Sequence, residues 1–263
     1  MDLADLFNHS RPIIGMIHLL PLPGSPNYSG NLEATYERAM WEADVLTDAG
    51  VDGLIIENFG DIPYRIGEPD PVQLAVMAGI TSRIRKLADI PLGVNVQFNA
   101  WQAEIAVAFA CQANFARVEV FVDTVVSPQG IINPCSAEVN RYRQQLNANN
   151  IYLLTDIQTK YTQNIFPKKL TQSAKEAVSA GAHALIVTGA KTGQETPLES
   201  VAKVKKVVDV PVLVGSGTTP ENVKDVLQTA DGAIVGSALK EKGEASNQVS
   251  PEAVHNFMKR ARS

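Results

Sequence analysis

Short apolar runs alternate with longer amphipathic stretches from end to end of this chain, which is the pattern of repeated βα units. Residues 12–18 read as a strand. Residues 31–49 read as a helix with Ala34, Ala39, Ala43, Val45 and Leu46 on its apolar positions, stopped by Gly50. Strands are then predicted over 53–57, 91–97, 115–121, 151–157, 184–188, 211–214 and 232–235. Helices are predicted over 69–88, 100–111, 136–149, 170–180, 198–208, 220–229 and 251–262. Recurrent punctuation supports eight units. Helix exits read Ala49-Gly-Val-Asp-Gly53, Ala180-Gly-Ala-His-Ala184 and Ala230-Asp-Gly-Ala233, and strand entries read Asp89-Ile-Pro91 and Asp209-Val-Pro211. Gly ends helices and Pro opens strands at such turns. No linker, charge block or low-complexity segment divides the chain, so residues 1–263 are expected to form a single α/β domain, a (β/α)8 or TIM barrel.

Composition narrows the class without naming a function. The chain is 45% hydrophobic and 19% charged, ordinary for a globular protein, and its net charge of −5 argues against a nucleic-acid partner. Cys111 and Cys135 lack metal-site spacing and are expected to be reduced thiols in a cytosolic compartment. The start, Met1-Asp-Leu-Ala-Asp-Leu-Phe7, is acidic where a signal peptide is basic, and no apolar run approaches spanning length. A cytoplasmic protein, at most peripheral on a membrane, is the expectation.

In such a barrel the chemistry sits at the C-terminal ends of the strands, so polar residues that close apolar runs are the candidates. His18 closes the first strand, Glu57 and Asn58 the second, and Asn95 and Gln97 stand two apart on the third. Glu119 lies on the fourth. Asp156 and Gln158 share a face of the fifth, with Lys160 on that face only if the extended backbone continues, and Thr188 ends the sixth. Convergence of Glu57, Glu119, Asp156 and Lys160 would shift their pKa values toward proton transfer. We therefore read His18, Glu57, Asp156 and Lys160 as catalytic candidates, with His18 as an acid and Glu57 or Asp156 as a base. Asn95, Gln97, Glu119 and Thr188 are substrate-binding candidates. For Lys160 a Schiff base or a phosphate contact stands against a partly solvated ion pair, the default; backbone hydrogen bonding for His18 and loop tying for Asn95 and Gln97 are the other structural alternatives. Carboxylates and His at strand ends are also donor types for a divalent cation, though no spaced ligand motif demands one and no cofactor is indicated.

Two consecutive units near the C-terminus carry glycine loops, Gly215-Ser-Gly-Thr-Thr219 and Gly236-Ser237-Ala238. Glycines make tight turns, but paired loops here also match the phosphate site of TIM barrels, with Gly215, Ser216, Gly217, Gly236 and Ser237 offering backbone donors to an anion. A phosphorylated small molecule is the expected ligand. The Pro-rich loop 19–28 is read as a rigid wall or lid or as a subunit interface of a homo-oligomer, with Leu20 and Leu22 at risk of exposure.

Several motifs together resemble the BtpA/SgcQ family. They are His18-Leu-Leu-Pro-Leu-Pro-Gly-Ser-Pro26, Gly53-Leu-Ile-Ile-Glu-Asn58, Gly93-Val-Asn-Val96, Val187-Thr-Gly189 with Thr192-Gly193, Val214-Gly-Ser-Gly-Thr-Thr-Pro-Glu-Asn222 and Val254-His-Asn-Phe-Met258. The resemblance covers nearly the whole chain. It implies a TIM barrel in a family named for a photosystem I biogenesis factor that associates peripherally with the thylakoid membrane. Members outside photosynthetic organisms look like enzymes and have been called nucleosidases. No catalytic residue is carried over from the family. Asp156-Ile-Gln-Thr-Lys160 keeps the family's Asp and Lys but has Thr159 at an apolar position. One membrane-docking candidate is the basic amphipathic segment 251–262, whose other role is to be the last barrel helix.

Overall fold

Eight parallel strands close on themselves, and the reason is visible in which residues alternate along each strand. The computed structural model describes residues 3–263; Met1 and Asp2, part of the acidic start, lie outside the described residues. In chain order the elements begin with α1 (Leu3–Phe7), β1 (Ile13–His18), α2 (Leu32–Asp48), β2 (Gly53–Glu57), α3 (Pro71–Leu87), β3 (Leu92–Asn95), α4 (Trp101–Ala110) and β4 (Phe115–Val118). Then come β5 (Val125–Ser127), β6 (Gly130–Ile132), α5 (Ser136–Gln145), β7 (Tyr152–Asp156), β8 (Gln163–Asn164) and α6 (Leu170–Ser179). The last are β9 (Ala184–Val187), α7 (Leu198–Lys205), β10 (Val212–Val214), α8 (Val223–Thr229), β11 (Gly232–Val235) and α9 (Pro251–Ala261). The barrel runs β1-β2-β3-β4-β7-β9-β10-β11 and back to β1.

Residues of one parity face into the barrel. Ile14, Met16, Ile55, Phe115, Leu154, Ile186, Leu213 and Ile234 form its inner apolar core, which Leu3 and Phe7 of α1 plug from the N-terminal end. Phe7 meets Phe115 edge-on, with ring centroids 5.5 Å apart. Residues of the other parity, such as Ile13, Ile17, Leu54, Ile56, Leu153 and Leu185, pack under the helices in a second, larger cluster. Phe115 fits the barrel centre only because residue 93 has no side chain: a Cβ there would lie 2.1 Å from its ring.

The repeated helix exits have a physical role. Each places a polar side chain just before a strand, where it accepts an N–H from the start of the preceding strand. Asp52 accepts from Ile13, Asn114 from Leu92, His183 from Leu153 and Asp231 from Val212. These bonds satisfy donors at the barrel rim that no neighbouring strand reaches.

Several expectations change at the mouth. The third strand stops at Asn95 rather than 97, because the next N–H groups turn to side chains: Val96 donates to Glu104 and Gln97 to Asn58. A small antiparallel sheet, ordered β6-β5-β8, stands on the rim and was not expected. Leu22 is fully buried, and Asp61 accepts its N–H at 2.7 Å, so the Pro-rich loop is stapled down with that side chain in the core. Val254, Phe257 and Met258 of α9 are buried in barrel packing, leaving that helix no free apolar face of theirs for a membrane. Among the described residues no helix is long and apolar enough to cross a membrane, and Cys111 and Cys135 are both free and buried.

Filling the space at residue 93 should be felt as overpacking. Gly93→Ala is expected to lower unfolding stability by about 1–3 kcal/mol, and Phe115→Leu in the same chain should recover part of that loss. Urea unfolding of the two single variants and the double variant checks this; strict additivity would refute the steric coupling.

Candidate active site

At the C-terminal end of the barrel the inward positions switch from apolar to polar. Continuing the alternation of Ile14 and Met16 brings in His18, that of Ile55 brings in Glu57, and Phe115 is followed by Arg117 and Glu119. The register sets His18 beside Glu57 and Glu57 beside Asn95. A layer of charge therefore lies directly on the apolar plug.

Arg117 is its centre. Its Nε and Nη2 donate to the two oxygens of Asp156, each at 3.0 Å, and the guanidinium is 2% exposed. Thr159 Oγ1 donates to the same carboxylate. Beside this pair, the Gln97 amide donates to Glu119 at 2.7 Å and to Glu57 at 3.1 Å, so one side chain bridges two carboxyl groups. Asn99 N–H adds a bond to Glu119. Burial raises the pKa of Glu57 against the pull of Lys160 and Arg117, and it raises that of Glu119 to about 7 against the pull of Arg117.

His18 stacks on Phe59 at 4.3 Å, and its Nδ1 lies 2.8 Å from the carbonyl oxygen of Ala245. A carbonyl only accepts, so Nδ1 carries the proton and Nε2 keeps a lone pair. Burial, with Lys240 adding to it, holds the ring's pKa well below 6.5. His18 is thus suited to take a proton, not to give one as the sequence suggested. Ala245 belongs to a strap closed by the bridge between Lys240 and Val249. The strap is anchored by a buried ion pair of Lys240 with Glu42, whose other oxygen accepts the Val249 N–H.

These groups open into two adjoining spaces. An inner cavity of about 180 Å³ is lined by His18, Glu57, Arg117 and Lys160 together with loop residues 215–219 and 236–238. An outer chamber of about 720 Å³ shares Glu57, Phe59 and Lys160 and adds the rings of Tyr64, Phe98 and Tyr161. Lys160 stands where the two meet. It does not arrive by an extended strand: Gln158 takes φ 50° and turns its amide away to Lys168 O and Ser173, so Asp156 and Gln158 do not share a working face. Burial and Arg117 lower the pKa of Lys160, against Glu57, Asp156 and Glu119. Among the described residues its ammonium makes no ion pair and no hydrogen bond, so the ion pair considered from sequence is absent.

Other candidates are placed differently. Asn95 is fully buried below the cavities, its amide held by Glu104 and Arg117 O, and does not line them. Asp156 is likewise withdrawn behind Arg117. Thr188 lines neither cavity but a surface groove that adjoins the outer chamber through Lys160 and Tyr161. Ser216 Oγ is engaged by Gly189 N–H, which leaves its hydroxyl a structural task. Gly215 and Gly217 have packing reasons of their own: a Cβ at 215 would lie 2.5 Å from Ile186, and Gly217, at φ +70°, would meet the Glu195 backbone. Thr218 lines the inner cavity, and its buried hydroxyl has no hydrogen-bond partner. Among the described residues no three His, Cys, Asp or Glu side chains gather as ligands of one ion.

Arg117 is the main residue that strand-end reasoning passed over. It sits inside an apolar run, but it shares the inward parity of Glu119, and that signal was available.

A family model described as the BtpA family matches residues 9–263. The chain belongs to the BtpA family. It is 35% identical over 260 residues to the photosystem I biogenesis protein BtpA of Synechocystis, covering 98% of this chain and 90% of that one. It is 37% identical over 252 residues to an uncharacterized protein of Pyrococcus abyssi, covering 95% of each. A mitochondrial protein of Caenorhabditis elegans is 35% identical over 264 residues, covering 97% of this chain and 95% of the relative. Among solved structures, thiamine phosphate pyrophosphorylase from Pyrococcus furiosus superposes with a TM-score of 0.58 at 17% identity, covering 96% of both chains. KGPDC from Streptococcus mutans gives 0.59 at 14% identity, covering 97% and 98%. These structures share the TIM-barrel fold with this BtpA-family chain.

The raised carboxyl gives a pH prediction. Between the ordinary glutamate range and about pH 7 the folded chain holds a proton on Glu119 that the unfolded chain has lost, so this group's contribution to stability falls as pH rises through that window and is level above it. Urea midpoints compared at about pH 5 and about pH 8 should differ less in Glu119→Gln than in the parent. An infrared band of a protonated carboxyl, lost on raising the pH, should be missing from that variant; an unchanged band would place the proton elsewhere.

Proposed function

We propose that this BtpA-family barrel is an enzyme that moves protons on a small phosphorylated metabolite. The observation that carries the proposal is the convergence, on one inner cavity, of an imidazole with a free lone pair, a buried carboxyl, two cations and the two glycine loops. A mere scaffold gains nothing from desolvating that many ionisable groups, whereas a proton-transfer site uses their shifted pKa values. In this mechanism His18 Nε2 takes a proton from the substrate. Glu119, its pKa raised to about 7 and its carboxyl held next to Glu57 by Gln97, returns one, while Arg117 and Lys160 stabilise developing negative charge.

The phosphate is assigned to loops 215–219 and 236–238. The unpartnered hydroxyl of Thr218 and the nearby Arg117 guanidinium support an oxyanion there, independently of the glycines. The ring-walled outer chamber takes the rest of the molecule.

A role in photosystem I biogenesis is the second reading, favoured by the identity with the Synechocystis relative. It is compatible with the first if the metabolite or its product limits assembly of that complex. Relatives in Pyrococcus and Caenorhabditis favour an ancestral chemistry that requires no photosystem.

A thermal-shift screen against inorganic phosphate, sugar phosphates, nucleosides and nucleotides tests the site without assuming a reaction. A ligand at about a hundred times its Kd adds about 2.7 kcal/mol of stability, a shift of several degrees for a chain of this size. We expect phosphorylated compounds to raise Tm and Ser237→Asp, which puts a negative charge at the cavity wall, to abolish the effect. A response to unphosphorylated compounds alone would refute the phosphate assignment. Expression in Synechocystis lacking its own BtpA checks the second reading: rescue is expected from the parent chain and not from Glu57→Gln.

A further inference from the structure

Among the described residues, the other buried or half-buried cations near the mouth have partners. Lys240 is matched by Glu42, Lys168 by Asp123 and Glu176, and Arg117 by Asp156. Lys160 alone of these stands without an ion pair or hydrogen bond among the described residues, although Glu57, Glu119 and Asp156 are all close enough to act on it through space. It also lines both spaces, so a molecule that fills the inner cavity and extends outward passes its amine. A side chain placed only to balance the nearby carboxylates would sit against one of them.

We infer that Lys160 is a covalent nucleophile, forming an imine with the carbonyl carbon of a phosphorylated aldehyde or ketone. The inference rests on the assignment of the glycine loops to phosphate. The neutral amine adds its lone pair to the carbonyl carbon, the carbonyl π pair moves to oxygen, and a proton passes from nitrogen to that oxygen to give a carbinolamine. The nitrogen lone pair then expels the hydroxyl, which takes a proton from a neutral carboxyl and leaves as water. The protonated imine retains the former amine nitrogen, and the net change is amine, carbonyl and neutral carboxyl to protonated imine, water and carboxylate. Glu57 and Glu119, both raised by burial, are the acids in reach of the shared space, and the lowered pKa of Lys160 keeps a larger share of its amine neutral. The iminium then draws electrons from the adjacent carbon, where His18 Nε2 removes or returns a proton. Aldol and isomerisation chemistry follow from this, and cleavage of an N-glycosidic bond does not.

The full chain is incubated with dihydroxyacetone phosphate or glycolaldehyde phosphate, treated with borohydride, and mapped by peptide mass spectrometry. Hydride adds to the imine carbon and fixes it as a secondary amine. The expected result is one dominant adduct on the peptide carrying Lys160, lost in Lys160→Met and in Lys160→Arg, which retains charge without imine chemistry. Adduct spread over surface lysines and unchanged in either variant overturns the inference. Glycerol 3-phosphate, which has no carbonyl, separates the two proposals by thermal shift. If it binds but no adduct forms with the carbonyl probes, the imine is refuted and the phosphate site stands. If the adduct forms equally with unphosphorylated glycolaldehyde and glycerol 3-phosphate does not bind, the imine stands and the phosphate assignment fails. Absence of both effects refutes both.

Discussion

A guanidinium held at the centre of a barrel, 2% exposed, is the constraint on which the rest of the mouth depends. Taking Arg117 and Asp156 out of water is costly, and only good geometry offsets it: two parallel N–H bonds at 3.0 Å, with a third donor from Thr159 on the same carboxylate. Once made, the pair fixes Asp156 behind Arg117 and removes it from proton transfer. The remaining nitrogen of Arg117 has no carboxylate of its own and belongs to a residue that lines the inner cavity. Its field also sets the protons nearby, favouring ionised Glu57 and Glu119 and a neutral Lys160, all against or beyond what burial does.

The strap from Lys240 to Val249 transmits a second constraint. Glu42 on α2 holds Lys240 with one oxygen and Val249 N–H with the other, which pins both ends of the strap to the outside of the barrel. Between those ends Ala245 presents its carbonyl to His18. A buried ion pair thereby helps decide which imidazole nitrogen is left free of the Ala245 carbonyl. The contrast between Lys240 and Lys160 follows from position: the first has a carboxylate within bonding distance and serves structure, while the second is left unmatched at the cavity entrance. Natural folds tolerate such local violations mainly at functional sites.

Sequence pattern alone was sufficient for the barrel, because each strand needs two apolar faces in alternation and each helix needs one, and both periods are written plainly in residues 12–18 and 31–49. It also placed His18, Glu57, Gln97 and Glu119 at the mouth, where they line the two spaces, since a polar residue that closes an apolar strand stands at its C-terminal end. It misplaced Gln158 and left Lys160 open because the chain after Asp156 turns, and a left-handed residue that is not glycine leaves no mark in composition. The rim sheet of β5, β6 and β8 escaped for a related reason: strands of two or three residues are too short to show a period. Ala245 escaped because its contribution is a backbone carbonyl, which any residue supplies.

The glycine loops and Lys160 are linked through Arg117. A phosphate dianion brought near an amine favours the ammonium and would work against a nucleophilic lysine. Here the idealised Cβ position of Gly215 lies 3.7 Å from Arg117 Nη2, so an anion in that loop meets a guanidinium that stays charged at any physiological pH. Arg117 would offset part of that negative charge, and its two hydrogen bonds to Asp156 hold the guanidinium in place. The absence of a side chain at 215 then has two effects from one cause. It lets the loop pack against Ile186, and it leaves Arg117 Nη2 close to the loop backbone with no side chain between them. Packing necessity and the proposed phosphate site are not rival explanations for that glycine: the close approach needed for the first is what would open the second.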